Sequence, residues 1–321
     1  MKQWLMIGLA AAPLLVTGSP APTIREFPLP RADVFPHDPA VAPNGTVWYT
    51  DQRNSFIGKL DPRTGKVVDY PTPTPDAGPH GIIVAPDGAV WYTGNANGTI
   101  GRLDPATGKI HEYSIPAEAS DPHTPVFVDR ELWFTAQRSN RIGRLDPGTG
   151  KVQLYEVPTP RALPYGAVRA PDGTIWVALL GTNKLLHVTP GTGALSEVSL
   201  PWPDARPRRI AVDRAGHVWF TDYRGGRLGR YDPSSGKFSG WPAPTPKSGP
   251  YGMAIDPDGR IWFNESAAGQ VVRFDPRDSS MIAVKIPTSG AIVRNMSVDS
   301  TRRRVWLAES GVARLGMVEL R

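Results

Sequence analysis

Short runs rich in valine, isoleucine, tyrosine and tryptophan alternate along this chain with clusters of glycine, proline, aspartate and asparagine. From Gly81 the runs Gly81–Ala85, Val90–Thr93, Thr99–Asp104 and Lys109–Ile115 are separated by PDG, NANG and DPATG. Runs this short, bounded by turn residues, predict strands joined by hairpins. The same four-run pattern recurs seven times. Trp48, Trp91, Trp133, Trp176, Trp219, Trp262 and Trp306 mark it at intervals of 42 to 44 residues. Ten to twelve residues before each tryptophan stand His37, His80, His123, Tyr165, Arg208, Tyr251 and Arg294. Seven residues before each of those is a proline: Pro30, Pro73, Pro116, Pro158, Pro201, Pro244 and Pro287.

A fixed period of this length signals a solenoid, a propeller or an array. Four antiparallel strands per repeat select the propeller, so the predicted fold is all-β, a seven-bladed propeller of four-stranded blades. The last repeat stops after its third strand, at about Leu315 to Leu320. Thr23–Pro30 matches a fourth strand, with Phe27 at the place of Tyr70, Tyr113, Tyr155 and Trp241. The N-terminal strand is therefore expected to complete blade seven, leaving no open edge. The in-phase tryptophans read as packing between blades. Trp202 is out of phase, in the connection between blades four and five.

Met1 to Ala21 has a lysine at position 2, an apolar run from Trp4 to Val16 and small residues at Gly18, Ser19 and Ala21. This reads as a secretory signal peptide, too short to span a bilayer comfortably. The expectation is an exported monomer, periplasmic or extracellular, with one domain over residues 22–321 and no stable membrane insertion. With no cysteine, disulfides and thiol chemistry are excluded. The net charge of +6 comes from lysines and arginines scattered through the repeats, which argues against nucleic acid. The one basic run, Arg302–Arg304, falls on a hairpin turn.

If the first strand of each blade is innermost, the residues before the tryptophans ring the channel mouth. Asp51, Gln52, Asn95, Gln137, Asp222, Tyr223, Glu265 and Glu309 lie further out on the same face, and Asp38 and Asp121 flank two histidines. A convergent polar group at a channel mouth is the place to look for a site. Histidine moves protons near neutral pH. His37, His80 and His123 on successive blades could instead hold a transition metal, with Asp38, Asp121 or Glu309 adding oxygen, as in a metal-dependent lactonase or hydrolase. Arg208 and Arg294, with Tyr165 and Tyr251, could bind a small anionic or peptide ligand. His111, His187 and His217 fall on outer strands or turns.

The repeat P-H-G-I-x-x-x-P-D-G-x-V-W-Y/F-T, followed by I-G-R-L-D-P and E-Y-x-x-P, resembles that of the virginiamycin B lyase family over essentially the whole mature chain. The resemblance implies a magnesium-assisted elimination that opens an ester of a cyclic depsipeptide. The best-matching blades are the second and third. Pro79-His80-Gly81 and Asp121-Pro122-His123 would supply the two histidines, His123 as general base or acid and His80 binding substrate or assisting. Asp121 and Gln137 would be the metal shell, standing where the family has two glutamates.

Overall fold

Each predicted run forms a strand, and the hairpins between them close on glycines with positive φ, such as Gly88 (φ 85°) in PDG and Gly108 (φ 74°) in DPATG, a conformation that other residues reach only with strain. The computed structural model describes residues 22–320. The expected signal segment, Met1–Ala21, lies outside the described residues. Seven four-stranded antiparallel sheets are present, each in sequence order from inside to outside except the last. That sheet consists of Val293–Asp299, Arg304–Glu309, Arg314–Glu319 and, outermost, Ile24–Pro28. Ile24 pairs with Val318 and Phe27 with Leu315, so the N-terminal strand closes the ring as the sequence implies. Among the described residues no helix is long and apolar enough to cross a membrane.

The seven first strands are Pro36–Val41, Pro79–Val84, Pro122–Val128, Pro164–Arg169, Pro207–Val212, Pro250–Ile255 and Val293–Asp299. They touch one another in succession and line the channel. The in-phase tryptophans pack forward onto the next blade. Trp48 meets Val90 and Tyr92, Trp91 meets Leu132 and Phe134, and Trp306 completes the circle against Val47 and Tyr49. The aromatic of the fourth strand covers most of them from outside. Ring centroids lie 5.3 Å apart for Phe27 and Trp306, 5.6 Å for Trp91 and Tyr113, and 5.5 Å for Trp219 and Trp241. Trp202 is loop packing, under the Arg227 guanidinium and beside Phe220 and Phe238. Arg302, Arg303 and Arg304 pair with Asp299, Asp258 and Glu319 around the turn.

Every inner strand carries a β-bulge at one place. In blade two Pro79 pairs with Gly94 and Ile82 with Tyr92, so His80 and Gly81 share the space of one residue. The other six blades repeat the shift. A bulge re-aims a side chain and leaves backbone groups without ladder partners. Here a buried hydroxyl supplies them. Thr93 Oγ1 accepts from Gly81 N at 2.9 Å and donates to the His123 carbonyl of the next blade at 2.8 Å. Thr50, Thr135 and Thr221 do the same between blades one and two, three and four, and five and six, and Asn264 replaces threonine in blade six.

Thr93→Val keeps the shape but strands a buried N–H and a carbonyl, so it should cost about 1–3 kcal/mol. Urea unfolding of the variant beside the parent measures this, and an unchanged midpoint would show the bridge to be dispensable.

Candidate functional site at the channel mouth

At each bulge two consecutive residues share one place, and in blades one, five and seven both send side chains into the channel, so a second set lies beside the first ring. The first is the one expected from the phase of the repeat. His37, His80, His123 and Tyr165 stack in a winding column, with centroid separations of 3.8, 3.7 and 4.0 Å. Their relative exposures are 4, 4, 2 and 4%. The Tyr165 hydroxyl meets that of Tyr251 at 2.5 Å. Arg208 lies over three tyrosine rings, 3.9 Å from the centroid of Tyr251, 4.6 Å from Tyr223 and 5.0 Å from Tyr165. Arg294 sits on the other side, 5.5 Å from the Phe35 ring and 5.9 Å from Tyr251.

The second ring is formed by the residues that follow, and of these only Asp38 drew notice from sequence. Asp38 accepts from Arg209 Nη2 across the channel at 2.7 Å and from Asn295 Nδ2 at 3.0 Å, and lies 2.9 Å from His37 Nδ1. Arg209 and Asn295 each follow a first-ring arginine. The repeat phase carried no signal for them, because it marks one residue per blade.

The electrostatics follow from this arrangement. Burial works against an ionised Asp38, but Arg209 and the His37 ring outweigh it and hold the carboxyl well below the usual carboxylate range. Burial lowers the pKa of His37, opposed by its bond to Asp38. It lowers His80 and His123 much further, helped by the neighbouring imidazoles and by Arg209. A stack of imidazoles less than 4 Å apart beside guanidinium groups stays neutral, since each added charge would meet like charge without water. Burial would raise Tyr251, yet Arg208 and Arg209 bring it below an ordinary phenol, while burial and its partner push Tyr165 up.

Asp121, expected in the metal shell, is engaged within its own blade. The Asp121 carboxylate accepts from Ser139 Oγ at 2.5 Å, from Ser139 N at 3.3 Å and from Arg138 N. It thereby pins the hairpin of its own blade, where Gln137 is half-buried. Asn95 reaches across from blade two to the carbonyls of Asp121 and Pro122, holding the backbone that leads into His123. One engaged carboxylate and one neutral amide fit a magnesium ion poorly. His37, Asp38 and His80 do bring ligand atoms within 4.8 Å of one another, and His80 Nδ1 is buried without a partner. Arg209 already supplies the positive charge beside that carboxylate. Further out, Asp51, Asp222 and Glu265 are acceptors for the loops between blades, taking Phe35 N, Arg206 N and Thr245 N at 3.0, 2.9 and 2.8 Å. They anchor the rim rather than face the channel.

The architecture defines a seven-bladed propeller with a polar site in its central channel. Its relatives are of the same build. The model of the virginiamycin B lyase family matches residues 17–180 and 126–321, and the chain belongs to that family. A search of curated proteins found no match. Among solved structures, a streptogramin B lyase is 28% identical, with 94% of this chain and 98% of that chain covered and a TM-score of 0.86. Selenomethionine-substituted virginiamycin B lyase from Staphylococcus aureus is 27% identical over 94% of this chain and all of that one, TM-score 0.87. A catalytically inactive histidine-to-alanine variant of the Staphylococcus aureus enzyme, with quinupristin, is 26% identical with the same coverage and TM-score.

Two outcomes are expected. Asp38→Ala leaves Arg209 buried without its counter-charge and should cost about 3–5 kcal/mol, most of it recovered when Arg209→Met is added; denaturant midpoints of the three variants check this. The depressed imidazole pKa values mean that below pH about 6.5 the unfolded chain binds protons the folded one refuses, so these histidines make stability fall on acidification. In NMR spectra the His80 and His123 ring signals should not move between pH 7.5 and 5.5. A midpoint near 6.5 for either would refute the neutral stack.

Proposed function

We propose that this propeller binds a small molecule or peptide through an anionic group, a carboxylate above all, held at the channel mouth between Arg208 and Arg294. The observation that carries this reading is the state of those two guanidinium groups. Both are half-buried, neither has a carboxylate partner among the described residues, and each has a buried Nε without a hydrogen bond. Asp38 is the acid of the channel and is taken by Arg209. Arg208 Nη2 donates to the Tyr165 hydroxyl at 3.4 Å, a neutral partner, and a desolvated guanidinium without a counter-charge is costly unless an anion completes it. Tyr223, 42% exposed, and Phe35 offer aromatic faces on either side, suited to an apolar body behind the carboxylate. Export would place this binding outside the cytoplasm.

A second reading, favoured by family membership, is a lyase that opens an ester of a cyclic depsipeptide by elimination. Its support is the pair His80 and His123, stacked on neighbouring blades and held neutral, the state in which an imidazole accepts a proton. The inactivity of a histidine-to-alanine variant in the Staphylococcus aureus relative points the same way. The burial of both rings argues for the binding reading first, because a base must reach its substrate.

Calorimetric titration with benzoate, and with a short peptide carrying a free or an amidated C-terminus, separates the two. Binding should need the free carboxylate and should weaken roughly ten- to a hundredfold in Arg208→Ala and Arg294→Ala, the scale of one or two charge-assisted hydrogen bonds. His123→Ala should leave it intact. Equal affinity in the arginine variants would end the anion reading. Linearisation of quinupristin that depends on His123 would establish the lyase.

A further inference from the structure

Where the ring closes, blade seven departs from a pattern seen in blades one and two. In blades one and two an acid on the outer strand lies opposite the glycine of the third strand: Asp69 opposite Gly58, Glu112 opposite Gly101. The second strand places a tyrosine over that glycine, and its hydroxyl donates to the acid, Tyr49 to Asp69 at 3.1 Å and Tyr92 to Glu112 at 2.8 Å. In blade seven Glu26, on the N-terminal strand, lies opposite Gly316. Leu307 occupies the tyrosine's place and has no hydroxyl to give. The carboxyl of Glu309 fills the space instead, against the face of Gly316 that Tyr49 and Tyr92 cover in the other blades.

Among the described residues no cation forms an ion pair with either acid. In blade one Arg31, in the loop that enters the blade after the outer strand of blade seven, bridges Asp51 and Asp69 at 2.8 and 2.5 Å. Thr288 has the corresponding place in blade seven. It gives Glu26 its backbone N–H at 3.0 Å and its hydroxyl at 2.7 Å, but no charge. Glu309 is fully buried, and neither of its oxygens meets an N–H or O–H donor. The charged groups facing it are Glu26 on the N-terminal strand and Arg314, its neighbour on the third strand, which makes no ion pair with it.

We propose that Glu309 remains protonated in the folded protein and donates to Glu26, so that the ring is fastened at its seam by one shared proton, a clasp that opens in alkali. The protonated carboxyl does for blade seven what the tyrosine hydroxyl does for blades one and two. Burial, and after it the Glu26 charge, raise the Glu309 pKa to about 8. A raised folded-state value means that the folded protein holds a proton the unfolded chain has released. The stabilisation is complete below the ordinary glutamate range and is lost as pH rises through about 8. Above that, two carboxylates repel across the one joint that connects the chain's ends.

The test compares the mature full-length protein with Glu309→Gln and with Glu309→Ala. Thermal midpoints, and amide exchange of residues 24–28 corrected for intrinsic rates, are read from pH 5.5 to 9.5. The parent should lose several degrees and most protection at the seam relative to Glu309→Gln, whose amide donates to Glu26 at every pH. Glu309→Ala should be weakened throughout and regain stability when Leu307→Tyr is added. Parallel pH curves for parent and Glu309→Gln would overturn the clasp. So would a rise in the parent's midpoint on adding calcium at pH 8, which would make the pair a cation site.

Discussion

The bulge in each inner strand is the feature on which the rest of this molecule depends. An unbroken ladder would send successive side chains alternately into and out of the blade, and in blades one, five and seven the channel would receive one side chain where it now receives two. The extra residue costs backbone hydrogen bonds in the most buried part of the protein. In four of the blades Thr50, Thr93, Thr135 and Thr221 restore them, and in doing so tie the blade to the next through the carbonyl of a site residue. Fold and site are therefore held by the same atoms. The hydroxyl that closes a bulge in blade two also fixes where His123 stands.

What the two rings hold follows from charge in a dry place. Three guanidinium groups and one carboxylate converge on the channel, and the carboxylate is used by Arg209. Burial and the neighbouring guanidinium groups keep the three imidazoles neutral, although Asp38 opposes this at His37. Two arginines are left at the mouth facing aromatic rings, a surface short of negative charge. That surplus of positive charge at the mouth is what an anionic ligand would answer.

Much of this was legible in the sequence because repetition makes phase visible. Seven tryptophans in register revealed blade count, strand number and the inner strand, and Phe27 revealed how the ring closes, since an aromatic was needed over Trp306. The gathering of His37, His80 and His123 followed from the same phase. The second ring did not, because a bulge is a local change of backbone that no spacing announces. Arg209 and Asn295 looked like flanking residues until the register shift turned them inward. Asp121 stands two residues before His123, and spacing alone does not announce that its oxygens also serve the hairpin of its own blade. Glu309, classed by position with the outer acids, differs from Asp51, Asp222 and Glu265 because those three accept from the loop before their blade, whereas in blade seven Thr288 of that loop donates to Glu26 and Glu309 has no donor.

The most direct measurement is a crystal structure of the mature protein with 4-bromobenzoate, located by the anomalous signal of its bromine. The account predicts a peak at the channel mouth, with the carboxylate between Arg208 and Arg294 and the ring against Tyr223 or Phe35. Ordered bromine elsewhere on the molecule, with the two guanidinium groups left unpaired, would contradict it.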